Sequence, residues 1–158
     1  VQTNSIYSET VNVPEKVLAS CKPLEKLLSD VVQSELHKKH LMVGALESSE
    51  SLNDQYIIKL QIAGIHATGG GGWSGPKSIS VNTSIILNEQ ILNKTSVESH
   101  GKGLPLQGTC GILENVVEDA AEKVAYWVNK QSDEGFKSWV SNSENEDTSN
   151  SFYLLVLQ

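Results

Sequence analysis

The chain has 158 residues, of which 39% are hydrophobic, so it is long enough for one domain with a buried core. Its formal net charge is -7, and its Lys and Arg residues form no dense basic patch. These properties argue against nucleic acid or an anionic membrane surface as a partner, because both require a concentrated positive charge. No apolar run approaches the roughly 20 residues that span a bilayer.

The first residues are polar and follow Val1 rather than Met, which is typical either of a mature N-terminus left after processing or of a sequence that was trimmed at its start. Leu18 to Cys21, with the sequence LASC, also matches the pattern that precedes the lipidated cysteine of bacterial lipoproteins. The residues before it lack the apolar segment that a signal peptidase reads, so a lipid anchor is the weaker interpretation.

The first third of the chain predicts a strand, a helix and a short strand. Residues 6–13 alternate as in a strand, and residues 20–40 predict a helix with Ser20 as its N-cap and Pro23 in its first turn. A short strand and turn follow in residues 40–49. The helix carries one apolar stripe, formed by Leu24, Leu27, Leu28, Val31, Val32 and Leu36.

Three longer strands are predicted in the middle of the chain. Residues 55–68 are rich in β-branched side chains and predict the first. Residues 77–87 and 90–99 predict a hairpin with Asn88 and Glu89 as its turn. In the first strand, simple alternation assigns one face to Tyr56, Ile58, Leu60, Ile62, Gly64 and His66.

Residues 68–78, with the sequence TGGGGWSGPKS, join the first of these strands to the second. A phosphate-binding Walker loop needs Gly-Lys-Ser or Gly-Lys-Thr followed by a helix, whereas here Pro76 displaces the lysine and a strand follows. The segment is therefore interpreted as a loop between antiparallel strands, in which Trp73 either packs on the core or contacts a partner. The predicted partner-binding residues are Gly70, Gly71, Gly72, Trp73 and Ser74.

Residues 108–130 give the strongest helix prediction, with Thr109 as N-cap, and residues 152–157 predict a buried strand after the acidic loop 141–151. The expected fold class is α+β in two layers, with a mainly antiparallel sheet of four to five strands and two helices on one face. Leaving out the short segment at 40–49, the order is β-α-β-β-β-α with a last strand from the tail. We expect residues 1–130 to form the domain and residues 131–158 a C-terminal extension.

The two cysteines of the chain, Cys21 and Cys110, each lie at the predicted start of a helix. If both helices run the same way over one sheet face, their first turns are neighbours and the sulfur atoms can form a disulfide. Such a bond suits an exported protein in an oxidising compartment. Two buried thiols, or one thiol activated at a helix N-terminus, are the alternatives, although no His follows a pattern that would supply a catalytic base.

Four histidines, His37, His40, His66 and His100, are the candidate metal ligands or catalytic bases. The spacing of His37 and His40 allows both to lie on one helix face, but at least three of the four must converge to hold a metal ion. Their position at a helix C-terminus is also explained by the helix dipole. No hydrolase elbow, zinc-protease motif or calcium loop is present, so no catalytic residue, metal or cofactor is predicted.

The segments GGGGWSGPKSISV and GTCGILENVVEDAAEKVAYWV resemble those of small, uncharacterised bacterial exported proteins with a Gly-rich WSGxKS turn and a TCxIL helix start. The matching residues are Gly69 to Ser78, Thr109 to Leu113, and Trp127. The resemblance covers roughly residues 56–128. It implies a periplasmic or envelope location and a fold similar to the N-terminal domain of TolB. It implies no activity, since these proteins are known mainly as domains of unknown function.

From these features we expect a non-enzymatic periplasmic or secreted protein that binds another protein, as an adaptor, an assembly factor or an immunity or inhibitor protein. The first alternative is a small-ligand carrier with the Gly-rich loop as its lid. The second is a metal-binding protein or enzyme built on the four histidines.

Overall fold

The computed structural model describes residues 21–39, 41, 43–46, 56–67, 76–101, 108–131 and 152–156. These residues form two helices and five strands. The helices are α1 (Leu24–Lys38) and α2 (Thr109–Gln131), and the strands are β1 (Val43–Leu46), β2 (Tyr56–Ala67), β3 (Lys77–Leu87), β4 (Gln90–Gly101) and β5 (Phe152–Val156). The two helices and the antiparallel arrangement of β2, β3 and β4 confirm the expected α+β class. The strand predicted at residues 6–13 lies outside the described residues.

The strand order in the sheet is β1-β5-β2-β3-β4. β2, β3 and β4 are antiparallel neighbours, whereas β5 is parallel to both β1 and β2. The short segment at 43–46 is a strand in its own right, so four strands lie between the two helices in the chain. Because β5 lies between β1 and β2, the end of the chain completes the same sheet that the earlier strands begin.

A bulge in β2 changes which side chains face the core. The buried positions alternate from Ile58 to Ile62, but the register with β3 shifts between Ile62 and Gly64, and the next buried residue is Ile65. Gly64 and His66 therefore lie on the opposite face from Ile62. The prediction that they share its face is wrong, because an inserted residue reverses the alternation of a strand beyond it.

The β3–β4 hairpin has the two-residue turn that the sequence predicts. Asn88 and Glu89 have backbone φ angles of 50° and 66°. Positive φ at both central residues is typical of a type I′ turn, whose twist matches that of the flanking strands. The turn therefore fixes β4 as the direct neighbour of β3.

Both helices pack on one face of the sheet. The helix predicted at residues 20–40 begins at Leu24, so Pro23 precedes its first turn as the N-cap residue, and Ser20 lies outside the described residues. The second helix begins at Thr109, which is thus a helical residue rather than the cap before it. The helices contact each other, α1 lies over β1 and β5, and α2 lies over β3 and β4. The shared core contains Leu24, Leu28, Val32, Leu36, Leu41, Ile58, Leu60, Ile62, Ile65, Ile79, Val81, Ile112, Leu113, Val116, Val117, Ala120, Ala121, Val124, Ala125 and Val128.

The two helices run in the same direction. At their starts, Lys22 Nζ lies 3.9 Å from Glu114 Oε2. Near the end of α1, the pKa of Lys38 is raised, first by its hydrogen bond with Glu35 and then by the charges of Glu35 and of Glu122 on α2. The helix starts are therefore neighbours, as a disulfide between the two cysteines requires. Neither described helix is long and apolar enough to cross a membrane.

Candidate functional site

Cys21 and Cys110 form a disulfide bond where the two helices begin. The sulfur atoms are 2.07 Å apart and the Cα atoms 5.2 Å apart, and the bond joins positions separated by 89 residues. Neither cysteine is free. Since both sulfur atoms are used in the bond, this form of the protein has no thiolate nucleophile and no attachment point for a lipid at Cys21.

The Gly-rich segment lies between two strands that pair directly. Ala67 at the end of β2 is the register partner of Lys77 at the start of β3. A strand rather than a helix follows the segment, and the Lys77 side chain is completely buried. A Walker site needs both a helix N-terminus and an accessible lysine, so the context for phosphate binding is missing. The predicted partner-binding residues, Gly70, Gly71, Gly72, Trp73 and Ser74, lie outside the described residues.

The structure brings two of the four histidines into one row and separates a third from them. Ser78 on β3 pairs with His66 on β2 and with His100 on β4, on the sheet face away from the helices. His37 lies near the end of α1, in the helix layer, and His40 is not among the described residues. The described part of the chain contains no group of three or more His, Cys, Asp or Glu residues that could hold a metal ion. Among the described residues, the metal-site hypothesis therefore finds two of its ligands in one row, on strands that flank β3, and no third beside them.

The sheet face opposite the helices is mostly polar where β2, β3 and β4 meet. Hydroxyl, amide and charged side chains form successive rows across these strands. Their partial or full exposure among the described residues is typical of an antiparallel sheet with one face toward water. The rows are Lys59–Ser84–Lys94, Gln61–Asn82–Ser96 and His66–Ser78–His100.

Large hydrophobic side chains that remain exposed in the described residues are concentrated at β4. Ile91 is 61% exposed, Leu92 is 51% exposed and Tyr126 is 64% exposed. Ile91 and Leu92 belong to β4 itself. A register shift between Ile85 and Ile86 leaves Leu92 as the extra residue of a bulge, beyond which regular pairing resumes at Asn93.

Tyr126 belongs to the side of α2 that lies along β4. At one end of this contact, Ser99 on β4 hydrogen-bonds to Asp119, and at the other end Asn93 Nδ2 donates to Gln131 Oε1 at 2.6 Å. Tyr126 follows Asp119 by seven residues, two helical turns, and so lies on the same side of the helix. It is therefore beside the middle of β4. We call β4 together with Tyr126 the β4 surface.

β4 is the outermost strand on its side of the described sheet. Its described strand partner is β3, so the second edge of this twelve-residue strand pairs with no other described strand. Outer strands present backbone N–H and C=O groups that can bind a further strand. Lys123 on α2 donates to the backbone oxygen of Glu98 at 3.2 Å, which engages one of the β4 carbonyl groups.

Asp119 links α2 to β4 and gives a pH-dependent prediction. Its pKa is lowered, first by its hydrogen bond with Lys123 and then by the hydrogen bond from Ser99. A carboxyl group whose pKa is lower in the folded protein than in the unfolded chain stabilises the folded state while it is ionised. This contribution is fully present above the ordinary pKa and is lost as the pH falls below about 4. Because the side chain is 50% exposed, we expect Asp119→Asn to cost only about 1 kcal/mol at pH 7.

Urea denaturation at pH 7 and pH 3 checks this effect. The difference in unfolding free energy between wild type and Asp119→Asn should shrink at the lower pH. Asp30→Asn is the matched control, because Asp30 pairs with Lys26 on the exposed side of α1 and should contribute less. A difference for Asp119→Asn that does not change with pH would contradict the assigned role of its carboxylate.

Comparisons with known proteins give little beyond these observations. No family model matches the chain, and no curated protein matches it. Among solved structures, the chain is similar to one from Caulobacter crescentus CB15 that is described as a "putative lipoprotein". The two share 14% sequence identity with a TM-score of 0.38, and the match covers 78% of this chain and 98% of the other. A likeness of this strength carries no conclusion about function.

Proposed function

We propose that this chain is a non-enzymatic, exported protein of the cell envelope that binds another protein chain through the β4 surface. The observation that carries the proposal is the position of Ile91, Leu92 and Tyr126, which combine exposed apolar side chains with the outer edge of a long strand. Ile91 pairs with Ile86 on the face away from the helices, whereas Tyr126 stands on the helix side, so an added strand would meet an exposed apolar side chain on each face of the sheet. An outer strand adds a row of backbone hydrogen-bonding groups to such a site.

The disulfide supports an exported location. Disulfides form and persist in the periplasm and outside the cell, whereas the cytosol keeps thiols reduced. In this chain the bond ties together the starts of both helices, which pack into the same core. We therefore infer a periplasmic or secreted location for the folded protein.

The proposed mode of binding is strand addition. An extended segment of the partner would hydrogen-bond to the outer edge of β4, and its side chains would contact Ile91 and Tyr126. The Gly-rich segment with Trp73 remains a second candidate contact. It joins the strands at the Ala67–Lys77 end, whereas Ile91 lies near the opposite, Asn88–Glu89 end of the hairpin. The two candidate contacts can therefore be tested separately.

Capture of partners from an envelope extract under non-reducing conditions tests the proposal. We expect Ile91→Asp and Tyr126→Ser each to lose a protein that the wild type retains. Asn82→Ala is the matched control, because Asn82 is exposed on the polar face of β3, an inner strand, and should leave capture unchanged. Trp73→Ala tests the Gly-rich segment in the same assay. Identical captured proteins for wild type, Ile91→Asp and Tyr126→Ser would refute the β4 surface as the binding site.

A further inference from the structure

We propose that the chain which binds the β4 surface is a second copy of the same protein. The two β4 strands would pair antiparallel across a two-fold axis, with Ser96 facing Ser96 of the second copy. This inference rests on the proposed function, because it assigns a partner to the same surface. Three features of β4 and α2 support it, namely the charge pattern, the side chains on the helix-facing side and the position of α2.

The charge pattern of β4 selects the register. Lys94 and Glu98 lie two residues on either side of Ser96, and both are exposed on the polar face, where they pair with Ser84 and Ser80 of β3. Antiparallel pairing centred on Ser96 places each Lys94 directly opposite the partner's Glu98. The two-fold axis produces this ion pair twice, and opposite charges at facing positions stabilise antiparallel strands.

Neighbouring registers lose both ion pairs. Two facing residues of antiparallel strands have their side chains on the same face of the sheet. The pairing is therefore centred on a residue of β4 and not between two residues, and the registers adjacent to Ser96 are centred on Thr95 and on Val97. A centre at Thr95 places Lys94 opposite Ser96 and Glu98 opposite Leu92. A centre at Val97 places Lys94 opposite His100 and Glu98 opposite Ser96. The sequence of β4 is thus self-complementary in charge at the Ser96 register and at neither adjacent one.

The helix-facing side of β4 fits the same register. Thr95 would face the partner's Val97, which places two β-branched side chains together, as paired strands favour. Both residues are only partly buried within one copy, and Val97 packs against the core cluster. Regular pairing of β4 with β3 extends from Asn93 beyond the Leu92 bulge, so the stretch around Ser96 has the regular geometry that a further strand needs.

The position of α2 gives this interface a second layer. α2 packs over both β3 and β4, and neighbouring strands are about 4.8 Å apart. If α2 lies above the space between β3 and β4, its helix axis is about one strand spacing from the two-fold axis. The α2 helices of the two copies would then be about 10 Å apart, which is the separation at which helices pack. Tyr126 lies beside the middle of β4 and so faces the two-fold axis. The same pairing that satisfies the strand edge would therefore cover this exposed ring.

Charge-reversing substitutions at Lys94 and Glu98 test the inference. The dimer dissociation constant of the disulfide-bonded protein is measured by sedimentation equilibrium. We expect the wild type to form a reversible dimer. Lys94→Glu and Glu98→Lys each create two facing pairs of like charge, and each should raise the dimer dissociation constant about tenfold or more. An equimolar mixture of the two variants should recover wild-type affinity as a heterodimer, and the double variant should recover it as a homodimer. Both positions are exposed, so thermal unfolding should show that all variants fold.

The outcomes separate this inference from the proposed function. A wild type that stays monomeric up to millimolar concentration would overturn self-pairing. The β4 surface would still stand as a binding site if Ile91→Asp or Tyr126→Ser lost a different captured protein. A dimer that neither single charge reversal weakens would overturn the Ser96 register. If both single variants dimerise more weakly than the wild type, and the mixture and the double variant regain wild-type affinity, the Ser96 register is established.

Discussion

Replacement of both cysteines, Cys21→Ser together with Cys110→Ser, is expected to lower the free energy of unfolding by about 4 kcal/mol. The bond joins positions 89 residues apart, so its loss releases a long loop in the unfolded chain. Domains of this size are typically stable by only about 5–15 kcal/mol, so the loss is a large part of the total. Urea denaturation of the oxidised wild type and of the double variant measures the difference.

The reduced wild type serves as the matched control for this variant. In the presence of a thiol reductant, wild type and double variant should unfold at nearly the same urea concentration, because only the bond distinguishes them. Equal stability of the oxidised wild type and the double variant would contradict the assigned role of the bond. Alkylation of two thiols in the native, unreduced protein would show that the bond does not form.

Gly101→Ala is expected to destabilise the protein by about 1–3 kcal/mol, because β4 ends directly against α2. A Cβ atom at position 101 would lie 2.4 Å from Val116 Cγ2 and 3.0 Å from Ile112 Cγ2. These side chains are only 2% and 1% exposed, so the close-packed core leaves them little room to move. The strand end or the first turns of α2 would have to shift. Thermal or urea denaturation of the variant measures the cost.

Gly64→Ala is the matched control, since it adds the same methyl group to a strand glycine. The nearest atom to a Cβ at position 64 is Ser80 Oγ at 3.9 Å, which is an ordinary contact distance. We expect a change within about 0.5 kcal/mol, as for most substitutions away from the core. If both variants lost the same stability, the cost at Gly101 would reflect the loss of a glycine and not the approach of β4 to α2.

Local patterns predict the helices and the hairpin well. The buried residues of α1 recur every four positions, and those of α2 form a wider stripe, so the period of each helix is visible in the sequence. Asn88 is a residue type that tolerates positive φ, and it stands between two β-branched runs. These features depend on residues close together in the chain, which is why a single sequence suffices to find them.

Features that depend on distant residues are not visible in the same way. The bulge after Ile62 moves His66 to the polar face, and Gly64 beside it is a local sign of a bulge that simple alternation does not take into account. The position of β5 between β1 and β2 depends on pairing between the last strand and two strands from the first half of the chain. The outer position of β4 likewise follows from the order of the whole sheet. A weak signal was present, since the stretch from Asn93 to His100 combines polar residues with Lys94 and Glu98, and charged side chains are common on outer strands.

The candidate site therefore differs from the one that motif inspection selects. The Gly-rich segment is the most unusual sequence in the chain, and it contains Trp73. The exposed apolar side chains of the described residues instead lie along β4 and α2, at positions that belong to no motif. A binding surface of this kind is defined by which positions stay exposed after folding, and that information appears only when the strand order is known.

Hydrogen exchange measured by mass spectrometry tests the β4 surface most directly. Exchange in the dilute, unbound protein is compared with exchange in the bound form, whether the partner is a second copy or a captured chain. We expect slower exchange in peptides from β4 after binding, because the amides at its outer edge would gain hydrogen bonds. Unchanged exchange in β4, together with protection of residues 68–75, would contradict it and would assign binding to the Gly-rich segment.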